Sequence, residues 1–188
     1  MLGKVTLQFD PTVTVDVRKK YQQKLKDDPT MEATFSESVE VLRNHLMRVS
    51  IRDGEFTIFS DEPTFVGGEG WAPSMFDYFF AGALLCECAQ YIWNAADLGI
   101  LGSINKLQMN IKGAFRLAGW AGHKNVSPAL KDVVVTAKIE GDAAAKDIEQ
   151  LAKLAAERCP AHQSLIRAIR IKNVVELNGE KVAEFANE

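Results

Sequence analysis

Two cysteines in unlike settings are the residues of this chain best suited to chemistry. Cys86 closes an apolar run that begins at Met75, and Cys159 stands immediately before Pro160. They are too far apart for a local motif, so they can act together only if the fold joins them; joined, they form a two-cysteine redox centre. A thiol is a nucleophile or a reductant only as thiolate, so the surroundings of each sulfur decide its use. Taken alone, each reads more readily as a small core hydrophobe than as a nucleophile. Pro160 shifts that balance for Cys159. A proline disfavours helical geometry in the residue before it, so a helix breaks and restarts there, where unpaired amides and the helix dipole favour a thiolate. His162, one turn on, either adds to this effect or is an ordinary surface histidine. Cys88 is close to Cys86 in sequence, but C-x-C on a helix sets the two sulfurs about 200° apart, unsuited to a shared metal or an easy disulfide. His45, His123 and His162 are scattered without ligand spacing, so no metal site is expected.

These residues must be positioned by the elements around them. Ser74-x-x-Asp77, directly after Pro73, is a capping box, so a helix is expected from residue 75 to about Leu98, with Gly99 as its stop. Its first half (Met75, Phe76, Tyr78, Phe79, Phe80, Ala81, Leu84, Leu85) is apolar nearly all round, as in a helix buried on every side. In so small a chain, burying it completely calls for a second subunit. Upstream, 38–41, 46–52 and 55–60 read as three strands joined by turns at Asn44-His45 and Asp53-Gly54, an antiparallel meander. Further strands are expected over 106–117, with a bulge at Gly113, over 131–140 and over 170–177; a second amphipathic helix is expected over 142–158 and a short one over 161–168. Residues 119–128 form a long loop carrying Trp120 and His123. At the front, Val5-Leu7-Phe9 and Val13-Val15-Val17 alternate about Asp10-Pro11 as a hairpin does, and 18–31 reads as a short exposed helix and a linker. Segregated helices and antiparallel strands make the class α+β.

The bulk numbers narrow the function. A chain of 188 residues, 47% apolar and 25% charged, is long enough for one core and one domain. A net charge of -3 lacks the basic face needed to bind nucleic acid or an anionic membrane. The run from Met75 to Cys86 is shorter than the ~20 apolar residues of a membrane span. Three cysteines cannot all pair within the chain, and no signal sequence opens it, which points to a reducing cytoplasm. The loop Gly67-Gly68-Glu69-Gly70 lacks the preceding strand and the following Lys-Ser/Thr of a phosphate cradle.

Taken in order, Asp61-Glu62-Pro63, Gly67-Gly68, Ala72-Pro73-Ser74, the apolar helix ending in Cys86, and Glu157-Arg158-Cys159-Pro160-Ala161-His162 resemble the OsmC/Ohr family, the osmotically inducible protein C and organic hydroperoxide resistance proteins. The similarity spans roughly 36–177 and is greatest to the OsmC-like branch. It implies a domain over 34–188 preceded by an extension over 1–33, and antiparallel sheets wrapped around two central helices in an intertwined homodimer.

The resemblance also implies an activity. A thiol-dependent peroxidase would reduce apolar organic hydroperoxides, with Cys86 attacking and becoming sulfenic acid and Cys159 resolving it to a disulfide. An external dithiol of the lipoyl type, rather than a bound cofactor, would reduce that disulfide. An arginine of the first hairpin, Arg43 in preference to Arg48 or Arg52, and a carboxylate at Asp77 would hold the thiolate. Here the chain departs from the family: Asp77 stands where glutamate is usual, Met75 replaces a proline, and Leu84-Leu85 and Phe76-Asp77-Tyr78-Phe79-Phe80 are bulkier than the usual neighbours. Those departures suit an alternative, a non-catalytic dimer that binds a hydrophobic small molecule in an aromatic-lined cavity.

Overall fold

The computed structural model describes residues 11–186. In order it contains α1 (Pro11–Asp27), β1 (Glu37–Arg43), β2 (Leu46–Ile51), β3 (Phe56–Ser60), α2 (Met75–Asp97), β4 (Ile104–Ala114), a single turn α3 (Leu117–Trp120), β5 (Asp132–Gly141), α4 (Ala145–Arg158), α5 (Pro160–Leu165), β6 (Lys172–Leu177) and β7 (Glu180–Ala186). The strands form three antiparallel groups within the chain, β1-β2-β3, β4-β5 and β6-β7. The α+β class and the three-stranded meander are therefore as expected.

The second run of the expected front hairpin is helical. Val13, Val15 and Val17 lie inside α1, while the run Val5-Leu7-Phe9 falls outside the described residues. Pro11 suits the first position of a helix, and the Lys- and Gln-rich segment behind it propagates one, which outweighs a three-valine alternation. Val15 packs against the core and Val17 stays exposed.

The core lies where the second half of α2 meets α4: Tyr91, Ala95 and Ala96 against Leu151 and Ala155, closed by Leu101. Leu107 and Met109 of β4 and Ala137 and Ile139 of β5 pack onto it from the strand side. The two strands pair in regular register from Lys106↔Glu140 to Ala114↔Asp132, with the one irregularity between Ile104 and Lys106. Gly113 thus marks no bulge. It pairs with Val133, and a Cβ there would sit 2.7 Å from the Phe80 ring, so glycine is needed for the close approach of α2.

The first half of α2 is not buried within one chain. Met75, Phe76 and Phe79 are exposed, and Leu85 is 70% exposed. Phe115 stacks on Phe76 at 4.7 Å, but among the described residues the chain covers that face only in part, so the expected burial is not reached here. The hairpin β6–β7 is in the same situation. Asn178 and Gly179 take the two left-handed positions of its turn (φ 53° and 85°), as a tight Asn-Gly hairpin requires, and every residue of both strands is exposed. Its second strand, β7, lies beyond the strands expected from the sequence, the last of which covered 170–177.

One buried carboxylate shapes the loop before α2. Asp61, 1% exposed, accepts backbone N–H bonds from Glu62 (2.9 Å), Glu69 (3.1 Å) and Trp71 (3.1 Å). Those amides, led by that of Trp71, hold its carboxyl below the usual aspartate range against the opposing effect of burial. The loop curls so tightly that a Cβ on Gly68 would lie 1.8 Å from the Glu62 carbonyl oxygen. Gly68→Ala is therefore expected to cost ~1–3 kcal/mol through forced backbone displacement. Gly102→Ala, where nothing lies within 4 Å, should stay within ~0.5 kcal/mol. Urea unfolding of the two variants checks the pair; equal midpoints would show that the loop relaxes freely.

Candidate active site

Helix α2 starts at Ser74, whose side chain accepts from the Asp77 amide (3.4 Å) while the Asp77 carboxylate accepts from the Ser74 backbone (2.8 Å) and hydroxyl (2.7 Å). Tyr78 donates its hydroxyl to the Phe59 carbonyl (2.7 Å), fixing the helix to the meander. About two and a half turns after Asp77, Cys86 sits half-buried on this helix.

Cys159 comes to it from the other end of the domain. Helix α4 stops at Arg158, Cys159 is extended (φ -81°, ψ 114°) as its proline neighbour demands, and α5 starts at Pro160. The Cys159 sulfur acts as the N-cap acceptor of α5, receiving the His162 backbone N–H at 3.4 Å. It is fully buried, and the Cys86 thiol is near enough to oppose its ionisation. The two cysteines singled out in the sequence are thus brought together, both as free thiols.

The electrostatics of Cys159 differ from expectation. Burial pushes its thiol up, the His162 amide pulls it down, and the neighbouring Cys86 thiol adds a further upward push. The helix start does lower it, through the amides of His162 and Ala161, but desolvation is the larger effect, so Cys159 rests as a neutral thiol. Cys88 is likewise pushed up by burial.

The other expected site residues do not reach the sulfurs within one chain. Arg43, at the end of β1, pairs with Glu69 (2.7 Å) and lies over the Trp71 ring (5.2 Å). Arg48 pairs with Glu40, and Arg52 with Glu55 (3.8 Å) and the Phe56 ring (5.6 Å). Asp77 is held in its capping box.

Two contacts beside the cysteines escaped the sequence reading. Glu87, next to Cys86 and 6% exposed, meets the His162 imidazole: Nδ1 and Oε2 are 3.0 Å apart. Arg158, next to Cys159, donates to the fully buried Asn94 (2.6 Å) and to Asp97 (3.3 Å), which also pairs with Arg18 of α1 (3.3 Å). The adjacency of Glu87 to Cys86 and of His162 to the Cys-Pro break was visible in the sequence; that they face each other was not. Among the described residues no group of His, Cys, Asp and Glu could hold a metal ion, and no helix is long and apolar enough to cross a membrane.

Comparison with known proteins agrees with this architecture. The family model for OsmC-like proteins matches residues 67–173. An organic hydroperoxide resistance protein OsmC of Legionella pneumophila superimposes with a TM-score of 0.57 at 22% identity, over 73% of this chain and 92% of that one. An OsmC-like protein of Mycoplasma pneumoniae gives 0.60 at 21% identity, over 72% and 89%. A Vibrio cholerae organic hydroperoxide resistance protein, solved with captopril in one active site, gives 0.55 at 16%, over 74% and 88%. No curated protein matches the sequence.

The resting state of the thiols is open to titration. In the unfolded chain they ionise near ~8.5. In the fold Cys159 and Cys88 hold their protons to higher pH, so above that value the unfolded state binds fewer protons and stability falls as pH rises. Thermal unfolding of the reduced protein from pH 7 to 10 should show this decline, flattened in Cys159→Ser; a decline of the same slope in that variant would contradict the assignment. A family match over more than half its length, together with this shared fold, makes the chain a member of the OsmC family.

Proposed function

We propose that the protein is a thiol peroxidase that reduces apolar organic hydroperoxides through Cys86 and Cys159. The observation that carries this reading is the meeting of the two thiols across α2 and the Cys159–Pro160 break. The Cys86 thiolate attacks the peroxide, breaking the O–O bond; one oxygen stays on Cys86 as sulfenic acid, and the alkoxide takes up a proton to leave as alcohol. The Cys159 thiol then attacks the sulfenic sulfur, forming the disulfide and releasing water that carries the Cys159 proton. A dithiol of the lipoyl class supplies two electrons and two protons by exchange: it is oxidised to its own disulfide as the Cys86–Cys159 disulfide is reduced to two thiols. The unequal exposure suits the order, since the half-buried sulfur meets the substrate and the buried one meets only its partner.

The working unit is a homodimer. The bare half of α2 and the β6–β7 hairpin offer it two apolar faces, with Phe76, Phe79, Leu85, Val174, Leu177 and Phe185 uncovered. At ~1.5–3 kcal/mol for each large side chain buried, covering a few of these accounts for much of a domain's stability. Arg43 is the cation assigned to hold the Cys86 thiolate and Asp77 the carboxylate assigned to hold its guanidinium, and this requires Arg43 to exchange its surface pairing with Glu69 for the site.

A second reading, an OsmC-like dimer that only binds a hydrophobic molecule, draws on a separate cavity of about 350 Å³ lined by Phe65, Met75, Phe76, Phe115, Leu117 and Trp120. Variants separate the two. Cys86→Ser should abolish consumption of an organic hydroperoxide in the presence of a dithiol. Cys159→Ser should complete one oxidation and stop at sulfenic acid, and Arg43→Ala should slow the first step about tenfold or more while leaving the fold intact, in line with losing a charge-assisted contact. Normal turnover in Cys86→Ser would leave the binding dimer as the better account. Sedimentation at micromolar concentration checks the assembly; a folded monomer would exclude the dimer.

A further inference from the structure

Helix α5 has a weak hold on the rest of the chain. It spans only Pro160–Leu165 and buries none of its residues. Its Gln163 amide donates to the Ala156 carbonyl of α4 (3.0 Å), and its Ser164 hydroxyl bonds within the helix to Pro160 (2.8 Å). Among the described residues, one hydrogen bond joins α5 to α2, the His162–Glu87 contact at 3.0 Å. That contact is placed where it can matter. Glu87 follows Cys86, and His162 gives its backbone N–H to the Cys159 sulfur while its ring reaches Glu87. A single residue therefore bridges the surroundings of both sulfurs.

The setting strengthens the bond. Glu87 is nearly buried, and the pair borders a cavity of about 270 Å³ whose other walls are Ala83, Ile111, Val133, Val135, Leu165 and Ile166. Water is kept from the Glu87 end, while the His162 side chain is 32% exposed, and a buried carboxylate left without this bond is penalised. Nδ1 faces the carboxylate, so its role is to donate.

We propose that Glu87 and His162 are positioning residues: they latch α5 to α2 and so hold the Cys159 sulfur in register with Cys86, setting how readily the two thiols join. This rests on the two-cysteine reading of the site, but not on its substrate. The reaction that reports it is exchange with oxidised glutathione: one glutathione disulfide is reduced to two thiols as the Cys86 and Cys159 thiols become a disulfide. The equilibrium constant is an effective concentration of one thiol at the other, and it falls when the sulfurs lose their mutual placement.

The test uses the full chain with Cys88→Ser as parent, so that only the two thiols report. The fraction oxidised in glutathione buffers, read by alkylation and mass, gives the effective concentration. His162→Ala and Glu87→Ala should each lower it about tenfold, and the double variant no further, because both remove one link. Glu87→Gln, which keeps an acceptor for Nδ1, should stay within about threefold of the parent. A purely structural loss would instead lower the thermal midpoint of the reduced protein while leaving the exchange equilibrium in place. If Glu87→Ala does not fold, His162→Ala decides alone, since His162 is the more exposed partner. An effective concentration within twofold of the parent in His162→Ala, a double variant whose loss is the product of the singles, or a parent that forms no disulfide between Cys86 and Cys159 would each overturn the proposal. Because glutathione replaces hydroperoxide as oxidant, a protein inert to hydroperoxides but sensitive to these substitutions would sink the peroxidase reading and leave the latch standing.

Discussion

The restart of the chain at Cys159–Pro160 is the constraint on which the site depends. Proline withholds an amide donor and disfavours helical geometry in the residue before it, so α4 ends at Arg158 and α5 starts afresh. The extended residue so created turns its sulfur inward to cap the new helix. A serine in such a place would cap with an oxygen that also donates and would remain polar. A thiol caps weakly but tolerates complete burial, and burial keeps it protonated. The same break thus delivers the sulfur to α2 and keeps it unreactive toward solvent.

Around that point, buried carboxylates and amides organise what the small core cannot. Asp61 gathers the amides of a glycine-rich loop ahead of α2. Asn94 and Asp97, near the end of the same helix, receive Arg158 from the residue before Cys159. Glu87 receives His162 from just after it. No side-chain N or O buried among the described residues lacks a partner, as expected of a structure in which polar groups are buried for a purpose. The helix that presents Cys86 is therefore tied along its length: to the meander by Tyr78, to α5 by Glu87, to α4 by Asn94 and to α1 by Asp97.

Much of this was legible in the residues, for local reasons. Ser74 and Asp77 announced the start of α2, Pro160 the break, and alternation with Asp-Gly and Asn-His the meander, because caps, prolines and turns act over a few residues. Long-range matters were not legible. Nothing near Val13, Val15 and Val17 says whether two faces or one will be buried, and the longer helix-forming segment behind them decided it. Gly113 looked like a bulge because its real cause, the ring of Phe80, arrives from another element. The apolar faces of α2 read as buried, yet hydrophobicity reports only that a face is to be covered, not by which chain. Arg43 and Asp77 show the same limit, since their local partners, Glu69 and Ser74, satisfy them without the cysteines.

The helix α1 bears on where this domain begins. It lies wholly ahead of the segment that matches the family, yet it contributes Val15 to the core, stacks Arg18 over Trp93 at 5.2 Å, and gives Asp97 one of its two arginines. The other arginine is Arg158, the neighbour of Cys159. Asp97 thus divides its charge between α1 and the end of α4. A chain trimmed to the family-matched segment would uncover the Trp93 face of α2 and leave Arg158 as the sole counter-charge of that carboxylate. Homology sets one boundary for this domain and its electrostatics set another, and a fragment cut at the first would be a different protein at the second.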